Sequence, residues 1–236
     1  MNITLEQTTT NNLMSNSFLD EVARICAPVP ACSNLQMACR HLGLIDPDEI
    51  LKETKDLYAW RRGGAESYVC ATELSVRTPK GRTESRRYLC KAVLSFGPGI
   101  EQRLDSFIMR YKLLATHGIN VPRTYYAGDG VLIQDFIDFS FREYVDGLGE
   151  CKADIAALCR RVLEIADCLD DLRFSPVSFV PDLRLTMDGR CYVVDVGGDL
   201  GGPHQASPAS RKARDQTIRF LRGQFPDLET EVTANE

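Results

Sequence analysis

Lys91 lies in the apolar run Tyr88-Leu89-Cys90-Lys91-Ala92-Val93-Leu94, and Asp195 closes the run Cys191-Tyr192-Val193-Val194 ahead of Val196-Gly197. An apolar strand that delivers a carboxylate to a glycine turn suits a hard divalent cation such as Mg2+, with phosphate oxygens completing its shell. Asp199 adds a second acid to that loop, and Asp182 opens the preceding strand pattern, Asp182 to Thr186. Lys91 offers a positive charge from within a strand, which serves a phosphate or simply faces solvent. Gly63 and Gly64 stand between two strand patterns, where missing side chains let backbone amides approach phosphate oxygens; the same pair also reads as an ordinary hairpin turn. Glu101 and Asp105 are one turn apart on one helical face.

These residues need a scaffold, and the periodicity supplies one. Two short helical patterns cover residues 17–43, the first carrying Phe18, Val22 and Ile25 on one face. Asp46-Pro47 then predicts a short acidic helix from Pro47 to Thr54, with proline at its first position. The period changes at Leu57-Tyr58-Ala59-Trp60, and three strands with glycine-containing turns follow, ending in the strand of Lys91. After Gly97-Pro98-Gly99 a helix is predicted from Ile100, with Leu104, Phe107, Ile108, Tyr111, Leu114 and Ala115 on one face and Gly118 as its C-cap. Val121 to Tyr126 and Gly130 to Phe136 read as two further strands. The second half predicts a helix over residues 152–173, a hairpin over 182–195 and a last helix over 211–223.

Hydrophobic residues make up 44% of the chain and charged residues 26%, the balance of a soluble globular protein with no membrane-spanning run. The nine cysteines are odd in number and form no Cys-x-x-Cys pair, so buried reduced thiols are expected instead of a disulfide framework or zinc ribbon. The three histidines are scattered without metal-ligand spacing. A net charge of −5 speaks against a general nucleic-acid binder. Charge is uneven, however: residues 55–91 hold nine Lys or Arg against four acids, as a solvated hairpin or a phosphate-attracting surface would.

The element order resembles the protein-kinase-like superfamily, above all its aminoglycoside-phosphotransferase-like branch, over roughly residues 57–225. The resemblance implies an α+β, two-lobed kinase-like fold, with an N-lobe of five antiparallel strands and one helix and a small, mostly helical C-lobe. The implied organisation is a disordered start (1–16), a helical extension (17–54), the N-lobe (55–138), a reduced C-lobe (139–225) and a disordered tail (226–236). It casts Gly63 and Gly64 as the loop over ATP phosphates and Lys91 as the strand-three lysine, paired with Glu101 or Asp105. Asp195 becomes the Mg2+ ligand of an Asp-Phe-Gly-like motif with valine in the middle. Gln134 and Phe136 fall in the segment joining the lobes, where adenine is met, with Ala71, Leu89 and Val193 as apolar lining.

One departure is functional. The His-x-Asp loop of the family is missing: the position of its metal-binding asparagine falls on Asp182, and five residues earlier stands Val177, which cannot act as a base. Asp182 therefore reads as either metal ligand or catalytic acid, with Asp170 or Asp171 as substitutes. The expectation is an ATP- and Mg2+-dependent phosphotransferase acting on a small-molecule hydroxyl or a protein. The alternative is an inactive, pseudokinase-like nucleotide-binding or regulatory module. Neither membrane nor nucleic acid is expected as a partner. A cytoplasmic location is the default, and the Thr- and Asn-rich start also resembles export segments of some bacterial effectors.

Overall fold

The structure, a computed structural model, describes residues 17–63, 67–93, 100–148, 152–176, 180–195, 200–201 and 213–225. The chain is α+β, and it divides into two compact units: Met1–Asp105 with Arg123–Phe136, and Ser106–Pro122 with Ile137–Glu236.

The first unit opens with α1 (Phe18–Cys26) and α2 (Leu35–His41). Ser17 and Asn34 cap them, each side chain accepting a backbone N–H of the first turn. Then come β1 (Ile50–Arg62), β2 (Ser67–Arg77) and β3 (Thr83–Val93), and, beyond the helix α3 (Ile100–Thr116), which from Ser106 belongs to the second unit, the strands β4 (Thr124–Gly128) and β5 (Val131–Asp135). The five strands form one antiparallel sheet in the order β1-β2-β3-β5-β4. Strand side chains alternate between faces, and here the two faces differ in kind. Cys70, Leu74, Val76, Tyr88, Cys90, Val131 and Ile133 pack with Phe18, Val22 and Cys26 of α1 and with Ala38, Cys39, Leu44 and Ile45 into one core. Tyr88 ties this core together: its ring stacks on Phe18 and its hydroxyl donates to the Leu44 carbonyl. The intervening residues of the same strands, Lys91 among them, point to the opposite face.

The acidic helix expected over Pro47 to Thr54 is not formed; β1 begins at Ile50. Asp46-x-x-Glu49 does build the start of one, because the Glu49 carboxylate accepts the Asp46 N–H at 2.8 Å and the Glu49 N–H donates to the Asp46 carbonyl at 3.1 Å. That single turn stops there. β2 runs 11 residues and needs a partner along its length, so Leu51 pairs with Val76, Thr54 with Leu74 and Lys55 with Glu73. Lys52-Glu53-Thr54 supplies no apolar helical face to compete.

The second unit contains β6 (Phe139–Ser140), α4 (Phe141–Leu148), α5 (Lys152–Asp171), β7 (Ser175–Pro176), a 3-10 turn (Val180–Asp182), β8 (Leu183–Leu185), β9 (Cys191–Val193), β10 (Leu200–Gly201) and α6 (Ala213–Gln224). α5 buries Ile155, Leu158, Val162, Ile165 and Leu169, the stripe its sequence spacing predicts. β6, β8 and β9 form a small antiparallel sheet whose buried residues are Leu183, Leu185, Cys191 and Val193. α6 docks through an unusual cap. Asp170 of α5 accepts the N–H groups of Ala213 and Arg214 at 2.6 and 3.0 Å, and Arg214 Nη1 reaches both Asp167 oxygens at 2.6 and 2.7 Å.

Candidate functional site

In the first unit, the face of the sheet opposite α1 and α2 carries two adjoining rows of side chains. Cross-strand partners share a face, so the pairings define the rows. One runs Arg61–Val69–Lys91–Leu132–Ala127, the other Tyr58–Ala71–Leu89–Gln134–Thr124. Lys91 is 6% exposed, and Gln134, on the same face, is fully buried with its side-chain amide donating to Thr124 Oγ1 at 3.3 Å. Ala71 and Leu89, named from the sequence as apolar lining, are direct cross-strand partners beside Lys91.

Gly63 ends β1 and donates its N–H to the Ser67 carbonyl at 2.9 Å. A Cβ placed on it would lie 2.6 Å from Val69 Cγ1. Val69 stands directly between Arg61 and Lys91, so the backbone at Gly63 closes onto the row of Lys91, and any other residue there would push it away. Gly64 lies outside the described residues.

β1 reaches this face by irregular pairing. An extra residue between Tyr58 and Arg61 shifts the register, so side chains three apart share one face. The Arg61 guanidinium lies over the Tyr58 ring, 3.7 Å from its centroid. Phe136 meets Tyr58 edge-on at 6.1 Å between centroids, while its N–H donates to the Arg87 carbonyl at 3.0 Å. Phe136 thus presents its ring, its amide being used within the sheet. Arg87, one row further on, pairs with Glu73 at 2.7 Å, and that hydrogen bond holds the Glu73 carboxyl below its usual range.

Asp105 is exposed on α3. Glu101 belongs to the same helix, but its side chain lies outside the described residues, as do Val177, Gly197 and Asp199.

In the second unit, Asp182 ends the 3-10 turn that leads into β8, and Asp195 follows β9 by two residues. Leu183 pairs with Val193, so the antiparallel register brings Asp182 and Asp195 to one end of the hairpin. Both are half-buried. The strand that delivers Asp195 is held from its other edge: the Val193 N–H donates to the Asn120 carbonyl at 3.0 Å and Asn120 Nδ2 donates to the Cys191 carbonyl at 3.0 Å. The Tyr111 hydroxyl donates to the Val194 carbonyl at 2.7 Å, directly before Asp195. Neither Tyr111 nor Asn120 is recognisable from the sequence, because both act through backbone carbonyls 71 to 83 residues away.

Among the described residues no group of three or more His, Cys, Asp or Glu is arranged to hold a metal ion by itself. Two carboxylates at one hairpin end nevertheless match what Mg2+ requires, since it keeps several waters and takes its remaining oxygens from one or two carboxylates and substrate phosphates. Asp170, a substitute for the missing base, is occupied: both of its oxygens accept the first N–H groups of α6. Asp171 is exposed at the end of α5.

No protein-family model and no curated protein matches this chain. Among the described residues no helix is long and apolar enough to cross a membrane.

Proposed function

We propose that the chain is an ATP- and Mg2+-dependent phosphotransferase with a two-lobed, protein-kinase-like fold, acting on a small-molecule hydroxyl or a protein. The observation that carries this reading is Lys91, a cation buried in the middle strand of the sheet, on the face that α1 and α2 leave to other uses. Lys91 shares its sheet face with Ala71, Leu89 and Gln134, a mixed apolar and amide lining, and Gly63 closes β1 onto Val69 beside it. Lys91 would hold phosphate; Asp195 and Asp182 would hold Mg2+, which supplies charge neutralisation for the phosphates. Phosphoryl transfer depends chiefly on positioning and charge stabilisation, so a weak or absent base does not forbid it.

A second reading, a nucleotide-binding regulatory module without turnover, is favoured by one observation: Asp170 is engaged at α6, which leaves Asp182, itself the metal-ligand candidate, or the exposed Asp171 to act as base.

Thermal shift with ATP and Mg2+ tests both. The wild type should melt higher with nucleotide, by an amount equivalent to about 2.7 kcal/mol at a hundredfold excess over Kd, and Lys91→Ala and Asp195→Ala should each lose most of the shift. Absence of a shift in the wild type at saturating nucleotide overturns both readings. A shift without ATP turnover across candidate acceptors selects the second.

A further inference from the structure

We propose that Arg61 is a second phosphate-binding residue, acting with Lys91 on a polyphosphate chain, so that this sheet face recognises a triphosphate through two cations on separate strands. The proposal rests on the nucleotide reading above and adds a residue to it.

Register is the first ground. Arg61 and Lys91 flank Val69 in one cross-strand row and so point to the same face. Strands two apart stand roughly 10 Å from one another, a span that two long basic side chains bridge toward a shared extended anion. Acids are absent from this row, whose other members are Val69, Leu132 and Ala127. The row on the far side of Tyr58 differs: there Lys55, Glu73 and Arg87 stand side by side, and Arg87 is matched by Glu73. Glu73 thus stands beside Lys55 and Arg87, and the row of Arg61 and Lys91 contributes no acid of its own.

Presentation is the second ground. The extra residue in β1 turns Arg61 onto this face, whereas Arg62, the next residue, pairs with Tyr68 and alternates to the other. The Tyr58 ring supports the guanidinium at 3.7 Å, which orders the plane while leaving its N–H edge free to donate. A guanidinium supported in this way offers a planar fork of donors suited to paired phosphate oxygens. The third ground is Gly63: a Cβ there would lie 2.6 Å from Val69 Cγ1, so glycine lets β1 close onto the residue between the two cations.

Isothermal titration of the full chain with Mg-ATP, adenosine and inorganic tripolyphosphate tests the assignment. Arg61→Ala should weaken ATP and tripolyphosphate by about tenfold or more, the scale of a charge-assisted hydrogen bond, and leave adenosine unchanged. Tyr58→Ala should weaken ATP by a smaller factor, with Tyr58→Phe close to wild type because the ring is kept. Arg62→Ala removes the same charge from the neighbouring position and should bind as the wild type does. Melting curves without ligand confirm that each variant is folded. Wild-type affinity for ATP and tripolyphosphate in Arg61→Ala, with Lys91→Ala impaired, overturns the role of Arg61 and leaves the nucleotide reading standing. Tripolyphosphate binding that depends on Arg61, without any response to ATP, keeps the anion site and overturns the nucleotide reading. No binding of any ligand by the wild type overturns both.

Discussion

The two faces of the five-stranded sheet are built from alternate residues of the same strands, yet they obey different rules. On one face Cys70, Leu74, Val76, Tyr88, Cys90, Val131 and Ile133 meet α1 and α2, and all are buried. Its main charged contact there is closed off: Arg86 is matched to Glu49 at 2.5 and 2.8 Å. On the other face a buried lysine, a buried glutamine and a stacked arginine sit among small and apolar neighbours. The first face is explained by folding alone. The second buries polar groups beside apolar ones, and such mixed surfaces are where function is to be sought.

The comparison breaks most readily on the helix-packed face. Leu74 is fully buried there, and Leu74→Ala removes its apolar area and leaves a cavity, so a loss of about 3 kcal/mol is expected from urea unfolding. Nucleotide affinity of the protein that remains folded should be unchanged, because Leu74 points away from Lys91. A loss of affinity at full folding would mean that the two faces are coupled.

Glu49→Gln should cost about 2 kcal/mol, since it removes the charge from a 3%-exposed carboxylate that accepts from Arg86 and from the Asp46 N–H. Replacing Arg86 and Glu49 together by methionine should cost less than Glu49→Gln alone, because neither charge of the pair is left without the other and the Asp46 N–H, on an exposed residue, turns to water. Chemical denaturation of the three variants checks the order.

Glu49 also marks where sequence was and was not legible. Asp46-x-x-Glu49 and Ser140-x-x-Glu143 carry the same helix-start signature. The second is followed by Phe141, Tyr144 and Val145 and becomes α4, with Ser140 and Glu143 exchanging hydrogen bonds at 2.6 to 3.2 Å that hold the Glu143 carboxyl below its usual range. The sequence predicts a helix after Asp46, where β2 claims the chain for β1, and none at α4. Local capping chemistry was present in both; what followed it decided the outcome. The strand of Lys91, the long helices and the β8–β9 hairpin were legible because apolar period and turn residues agree. Arg61 and Tyr58 were not singled out, since a one-residue irregularity in β1 changes which face a side chain takes, and no periodicity rule anticipates it.

Three thiols of the helix-packed face give a smaller, pH-dependent effect. Burial pushes Cys26 up to about 11 and Cys39 up to about 12 from an ordinary value of 9.0, and Cys90 well above it. Groups whose proton is held more tightly in the folded state contribute fully below the unfolded value, and that contribution fades as pH rises beyond it. The unfolded chain loses these protons first, so stability should fall between pH 8 and pH 9 by about 0.4 kcal/mol per thiol, about 1 kcal/mol in all. Replacing the three cysteines by alanine or valine should remove that share of the slope in denaturant titrations, leaving the share of Cys159 and Cys191, which burial also pushes up to about 11.

The smallest effect on stability is expected where the effect on binding is largest. Lys91→Met keeps an unbranched side chain of similar length, so the packing of the buried stem is retained when the ammonium is removed. Its unfolding free energy should therefore stay within about 1 kcal/mol of the wild type, whereas nucleotide binding should vanish. A loss of several kcal/mol would instead show that the lysine is a structural partner within the fold, and the polar face would then need no ligand to explain it. Stability retained together with unchanged ATP binding would separate Lys91 from the nucleotide and move the search to the carboxylates at the end of the β8–β9 hairpin.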